Sequence, residues 1–250
     1  MKNFFDRLNN KNNDEIKILN DLIKLYKNSP IPENEKFENI FMYLQKKDLS
    51  HLLFMNEIYK KIINVHGNIL EFGTRWGRNV SLLTSLRGIY EPYNHTRKIV
   101  AFDTFSGFPN TSKKDGTHSS IKKGSYKVSS NYDKYLNNLL AVKEQELPIN
   151  HIKKFQIIKG DVAKTSHKYF NDNKESLIAM AFFDLDLFEP TKEALKAILP
   201  RMSRGSIIVF DELNHTAYPG ETLAYLEIFK KERYRLERLP YSASKSYIIL

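Results

Sequence analysis

The sequence predicts an α/β domain with a seven-stranded, mostly parallel sheet, an antiparallel last strand and helices on both faces, preceded by an N-terminal helical extension. Three observations predict it. Short apolar runs and helical stretches alternate five times after about residue 65, and two adjacent strands then close the chain, which is how parallel strands are joined by crossover helices. The first run passes through a glycine turn into a helix, Ile69-Leu70-Glu71-Phe72-Gly73-Thr74-Arg75-Trp76-Gly77-Arg78-Asn79. Finally, the runs end in acids, which places those acids along the carboxyl edge of the sheet, where open α/β folds bind ligands.

Residues 1–64 read as the helical extension. Ile16, Leu19, Leu22, Ile23 and Leu25 fall at helical spacing until Pro30-Ile31-Pro32 breaks the pattern. A second helical stretch covers about 37–63, with Phe54, Ile58, Ile62 and Ile63 as its core face and His51 expected in solvent. Residues 65–250 form the main domain. Its opening turn, Glu71-x-Gly73-x-x-x-Gly77, is neither a G-x-G-x-x-G fingerprint nor a P-loop. Taken alone, such a turn serves helix–strand packing as well as it serves a ligand.

The second strand, Lys98 to Asp103, puts a carboxylate 26 residues after Gly77. An acid there can accept both hydroxyls of a ribose, or cap a turn together with Thr104. Residues 105–130 are rich in Ser, Lys and Gly with no apolar period, and read as a mobile lid over the site. A helix is expected at about 131–146. Strands follow at 155–161 and 178–184, then a helix opening at Pro190, a turn over 200–205 and a strand at 206–212. A helix from Pro219 to about Arg233 leads to a terminal hairpin of 234–239 and 246–250.

Composition narrows the class. The 250 residues carry 39 Lys and Arg against 29 Asp and Glu, a formal charge of +10. The lysines are dispersed, so they read as a solvated surface compatible with an anionic small substrate, not as a nucleic-acid patch. No apolar run approaches a membrane span, and the first residues lack a secretory h-region. The absence of cysteine removes disulfides, thiolate metal sites and cysteine nucleophiles, and fits a cytoplasmic location.

The strand-end acids are Glu71, Asp103, Asp161, Asp184 with Asp186, and Asp211 with Glu212. Asp184, Asp211 and Glu212 come from neighbouring strands. Carboxylates that close repel unless a cation lies between them, and hard oxygen donors suit magnesium. The alternative is that Asp186, Asp211 and Glu212 bond helix N-termini and lid lysines.

Together, Glu71-Phe72-Gly73-x-x-x-Gly77, Asp103-Thr104-Phe105-Ser106-Gly107-Phe108-Pro109, Gly160-Asp161, Asp184-Leu185-Asp186-Leu187-Phe188-Glu189-Pro190-Thr191 and Asp211-Glu212 resemble the macrocin O-methyltransferase family over about residues 65–230. That family is Rossmann-like and uses S-adenosylmethionine. The resemblance implies that the Glu71–Gly77 turn, with Thr74 and Trp76, holds the methionine part of the cofactor. It implies that Asp103, beside Thr104, holds the ribose, and that Asp161 lies by the adenine amino group. Asp184 would face both the cofactor and the metal, and Asp184, Asp211 and Glu212 match the family's magnesium acids. Two positions depart from the pattern: Glu212 stands where Asp is usual, and Leu187 where catechol-type relatives carry a lysine base.

The expected reaction is methylation of a hydroxyl on a sugar, or on a nucleotide-linked or phosphorylated sugar, in surface-polysaccharide or natural-product biosynthesis. His215 is the candidate base, with Asp184 or Asp186 as alternatives and His118 in the lid after them; Tyr218 and Glu221 are expected along the acceptor pocket. An amine or phosphate-containing acceptor, or an RNA, are the competing readings. No nucleic-acid or membrane partner is expected, while the N-terminal helices offer a surface for a partner subunit.

Overall fold

The structure is a computed structural model that describes residues 13–230, 234–242 and 244–250. The chain divides into two compact units, Met1–Leu52 and Leu53–Leu250, with the division inside one long helix. In the first unit, α1 spans Asn13–Lys27 and ends before the two prolines, as the sequence predicts. A short α2, Glu33–Glu38, leads to a 3-10 turn at Ile40–Tyr43, where the Tyr43 hydroxyl donates to Ser29 Oγ at 2.8 Å.

Helix α3, Lys46–Ile62, carries the predicted face: Phe54, Met55, Ile58, Tyr59 and Ile62 are fully buried. His51 is buried too, not in solvent. It lies three, four and seven residues before Phe54, Met55 and Ile58, which puts it on the same helix face.

The second unit alternates as predicted. Its strands are β1 (Asn68–Phe72), β2 (Ile99–Asp103), β3 (Phe155–Lys159), β4 (Ile178–Phe183), β5 (Met202–Phe210) and β6 (Ser246–Ile249). Its helices are α4 (Arg78–Tyr90), α5 (Tyr132–Gln145), α6 (Val162–Asp172), α7 (Phe188–Ile198) and α8 (Gly220–Ile228). The strand order is β3-β2-β1-β4-β5-β6, parallel except for β6 against β5. The order reverses between β1 and β4, and that crevice is where doubly wound sheets take ligands.

Period-2 alternation sends Ile69, Ile99, Ala101, Met180 and Phe182 to a core shared with the apolar faces of α3, α4 and α5. Leu70, Phe72, Val100, Phe102, Ala181 and Phe183 pack on the other side against α6 and α7. A buried ion cluster ties α4 to α5: Arg87 and Lys154 approach Glu144 Oε1 at 2.6 and 2.8 Å.

The described residues give six strands, not the seven expected. Residues 234–239 meet β6 through a single bridge, in which the Glu237 and Tyr247 amides donate to each other's carbonyls at 2.8 and 2.9 Å. The ladder stops there because the chain turns at Leu239, closed by Ser242 N–H to Leu239 O at 3.0 Å, and Pro240 has no amide to donate. The predicted turn at 200–205 also shortens to a 3-10 turn at Leu199–Arg201, since β5 begins at Met202.

The segment 105–130 is packed against the domain. Phe105, Phe108, Asp115 and Val128 are buried, and a 3-10 turn at Lys113–Asp115 is capped at its N-terminal end by the Ser112 and Asp115 side chains. Among the described residues, no helix is long and apolar enough to cross a membrane.

Candidate active site

The turn after β1 is built on two glycines with left-handed backbone. Gly73 has φ +95°, and a Cβ there would lie 1.8 Å from the Asp184 carbonyl oxygen, so β1 and β4 could not close at the switch point. Gly77 has φ +77° and caps α4, with the Leu136 side chain where its Cβ would be.

Glu71 lies beneath the turn, fully buried. The Thr74 hydroxyl donates to its Oε2 at 3.2 Å, and Asn79 and the Val80 amide also favour the carboxylate. Burial outweighs them and pushes Glu71 from 4.5 up to about 8. Glu71 and Thr74 therefore shape the turn from below and do not line the cavity above it.

That cavity, about 260 Å³, opens at the β1/β4 crevice. Gly73, Asp103, Thr104, Asp161 and Asp184 line it, as do Asp186 and Glu212. Asp103 accepts the Arg75 amide at 2.7 Å and the Phe105 amide at 2.5 Å, joining the β1 turn to the β2 turn. Burial raises it to about 6, with the Phe105 amide acting in the opposite direction. The Thr104 hydroxyl donates to Gly107 O at 2.7 Å. Asp161 caps α6 through the Ala163 amide at 3.1 Å, so the capping role and the cavity position coexist in one residue.

The acids of β4 and β5 converge electrostatically. Asp184 is held well above the usual carboxylate range by burial and by Asp211, Asp186, Glu221 and Glu212. Asp186, at φ +60°, is raised in the same way by burial and then by Glu212, Glu221 and Asp211. Glu212 rises to about 7 through burial and Asp211, partly offset by Lys245. Asp211 itself does not line the cavity: its Oδ1 pairs with Lys245 Nζ at 2.8 Å.

As placed, the described residues form no group of three or more His, Cys, Asp or Glu that could hold a metal ion. The donor chemistry still fits a hard cation. Buried carboxylates repel one another here, and Glu212 Oε2 is buried without a hydrogen-bond partner.

Trp76, His215 and Glu221 also lie off the cavity lining. Trp76 is 45% exposed and meets Tyr132 edge-on, with ring centroids 4.7 Å apart. His215 packs its ring on Tyr218 at 5.3 Å. Glu221, expected along the pocket, is buried and accepts the Leu185 amide at 2.9 Å, holding the loop between Asp184 and Asp186 from behind.

Further residues line the cavity beyond those the sequence singles out. Arg75 and Tyr126 line the cavity, the guanidinium 5.3 Å from the Tyr126 ring centroid. Arg75 had a signal, since it stands between the two glycines of the turn. Tyr126 and Lys245 had none, because they arrive from distant segments.

Residues 46–235 match the family described as macrocin-O-methyltransferase (TylF). The chain belongs to that family. As a family member it is a methyltransferase that uses S-adenosylmethionine. Among solved structures it is similar to CalS11, a calicheamicin methyltransferase, at 37% identity and a TM-score of 0.93, covering 96% of this chain and 93% of that one. A second CalS11 structure, described as an apo TDP-rhamnose 3'-O-methyltransferase, matches at 35% identity and a TM-score of 0.84 over 96% and 95% of the two chains. The O-methyltransferase NovP shares the fold at 17% identity and a TM-score of 0.56, covering 80% of this chain and 79% of that one. No curated protein matches the sequence.

Proposed function

We propose that this family member transfers the methyl group of S-adenosylmethionine to a sugar hydroxyl, and that the sugar is carried on a nucleoside diphosphate. What supports the reading above all is the likeness to CalS11 along nearly the whole of both chains, with a cavity lined by strand-end acids at the β1/β4 crevice. The basic charge of +10 suits a diphosphate-bearing acceptor. The natural-product setting of the relatives favours a sugar nucleotide over a surface polysaccharide.

In this reading Gly73 lets the cofactor's methionine part approach the backbone, Asp103 accepts the ribose hydroxyls, and Asp161 meets the adenine amino group. Asp184 and Asp186 orient the acceptor at the inner end of the cavity. The acceptor oxygen attacks the sulfonium methyl in line: the new C–O bond takes the oxygen lone pair, and the breaking S–C bond leaves its electrons on a neutral thioether. No anion forms on the departing side, so positioning supplies much of the acceleration. Asp184, Asp211 and Glu212 would hold magnesium, which supplies a Lewis-acid contact that lowers the acceptor hydroxyl's pKa.

The test is methyl transfer from S-adenosylmethionine to TDP-rhamnose and a panel of other nucleotide sugars, with and without magnesium. Turnover on a nucleotide sugar and none on the free sugar is expected. Turnover on amines alone would replace the acceptor class. Salt-sensitive RNA binding with RNA methylation would replace it with nucleic acid.

A further inference from the structure

Three side chains of the 105–130 segment converge on one phenol of the loop after β5. The Tyr218 hydroxyl lies 2.6 Å from Ser120 Oγ, 3.1 Å from Tyr126 Oη and 3.2 Å from His118 Nδ1. His118 Nδ1 lies 2.7 Å from Ser120 Oγ. None of these contacts alone has a direction, because each hydroxyl can donate or accept.

One further bond directs three of them and leaves the longer Tyr218–His118 contact, 3.2 Å, without a proton. The Ser120 backbone amide, which can only donate, points at His118 Nδ1 at 3.3 Å. That nitrogen must therefore present its lone pair, and the imidazole proton sits on Nε2. With Nδ1 an acceptor, the 2.7 Å contact holds only if the Ser120 hydroxyl donates to it. Ser120 Oγ then has only lone pairs left, so Tyr218 donates to it across 2.6 Å. Tyr218 has one proton, now used, so the 3.1 Å contact holds only if Tyr126 donates to Tyr218. The four groups form a hydrogen-bonded row with every donor facing the same way, from Tyr126 to His118.

Tyr126 is also the member that lines the cavity with Asp186. With its proton given to Tyr218, its oxygen has only lone pairs to offer an acceptor.

We propose that Tyr126, Tyr218, Ser120 and His118 form a directed proton-exit row that carries away the hydroxyl proton of the methyl acceptor. It rests on the O-methyltransferase reading above. The balance closes without a further reagent. As the acceptor oxygen takes the methyl group, its O–H proton passes to Tyr126 Oη, and the Tyr126 proton passes to Tyr218. The Tyr218 proton passes to Ser120 Oγ, and the Ser120 proton to His118 Nδ1, giving an imidazolium. His118 is partly exposed and returns Nε2–H to solvent.

Tyr126 need never become a free phenolate in this scheme. Burial, the Asp186 charge and the Tyr218 bond all hold its pKa above the ordinary tyrosine value, which suits a group that exchanges one proton for another. His215 packs its ring against that of Tyr218.

Two experiments test the row. The first needs no acceptor: nitrogen NMR of histidine-labelled full-length protein at neutral pH. His118 is expected as the Nε2–H tautomer, with its Nδ1 resonance moving in Tyr218→Phe. A Nδ1–H tautomer would reverse the donors and overturn the proposal, whatever the enzyme methylates. The second measures turnover with S-adenosylmethionine and whichever nucleotide sugar the wild type accepts. Tyr218→Phe and His118→Gln are each expected to lower kcat about tenfold or more, with cofactor affinity and the acceptor KM little changed. The double variant is expected to be no slower than either single one, and added imidazole to restore turnover in His118→Ala. Wild-type kcat in Tyr218→Phe and His118→Gln would overturn the row. Absence of wild-type turnover on every nucleotide sugar would instead count against the acceptor class and leave the tautomer result standing.

Discussion

Replacing Glu71 by Gln tests whether a neutral carboxyl supports the cofactor turn. Burial pushes Glu71 from 4.5 to about 8, so the folded protein keeps a proton there that the unfolded chain releases. The sign follows from that difference. The contribution to stability is complete below about pH 4.5 and is lost as pH rises, the loss being complete just above pH 8. A single group of this kind changes stability by at most about 1.4 kcal/mol per pH unit, or about 3 kcal/mol between pH 5.5 and 7.5. Relaxation around a buried charge reduces this, and about 1–3 kcal/mol is the working expectation. For a chain of this size that is a shift of roughly 2–12 °C in thermal midpoint.

Gln has the same shape, can still accept the Thr74 hydroxyl through its amide oxygen, and does not titrate. The assay is thermal unfolding of ligand-free wild type and Glu71→Gln at pH 5.5, 6.5 and 7.5 at fixed ionic strength. Glu212 and Glu221 also sit above their ordinary values, both at about 7, but they are present in both proteins and cancel in the difference; Asp103, at about 6, helps to raise Glu71 and belongs to the measured effect. The gap between the two midpoints should move in favour of the variant as pH rises. A gap that stays constant across the three pH values would refute the buried, protonated Glu71.

Three more outcomes are expected. Asp103→Ala removes the acceptor of two backbone amides and the proposed ribose contact, so calorimetry should show S-adenosylmethionine bound at least about tenfold more weakly by a protein that still folds; unchanged affinity would remove the ribose assignment. Glu144→Gln leaves Arg87 and Lys154 buried without a counter-charge, a loss of about 3–5 kcal/mol, read in denaturant as a lower midpoint; a loss under about 1 kcal/mol would show that water reaches the cluster. Asp211→Asn should abolish magnesium-dependent turnover while cofactor affinity stays within about twofold, and full activity in that variant would sink the metal assignment.

The fold was legible because its signals are local. The short runs Ile69–Phe72 and Ile178–Phe183 read as strands buried on both faces, and Gly73 before Arg75 marks a turn where backbone approaches backbone. The expected seventh strand is reduced to a bridge for a non-local reason. Residues 234–239 have strand character, but whether they pair depends on Pro240 turning the chain after a single bridge. His51 was misplaced because one imidazole was judged by residue type, although its spacing from Phe54, Met55 and Ile58 already put it on the buried face.

The acids were readable as a set, and their division of labour was not. Sequence places Glu71, Asp103, Asp161, Asp184, Asp186, Asp211 and Glu212 on one edge of the sheet, because each closes a strand. It cannot say which of them faces the cavity, because the last torsion of each strand decides that. Glu71 turns under the glycine loop, Asp211 turns to Lys245, and Asp161 and Asp103 do two tasks each. A strand-end acid was therefore never a choice between capping and binding. In the proposed reading Asp103 holds the ribose with a carboxylate that two backbone amides fix in place, and those amides belong to the turns that form the cavity wall. The capping bonds are what make the cavity, and the same argument applies to Tyr126. Its phenol is useful at the cavity only because Tyr218 and His118, which the sequence offers separately, and Ser120, which it does not, settle which way its proton points.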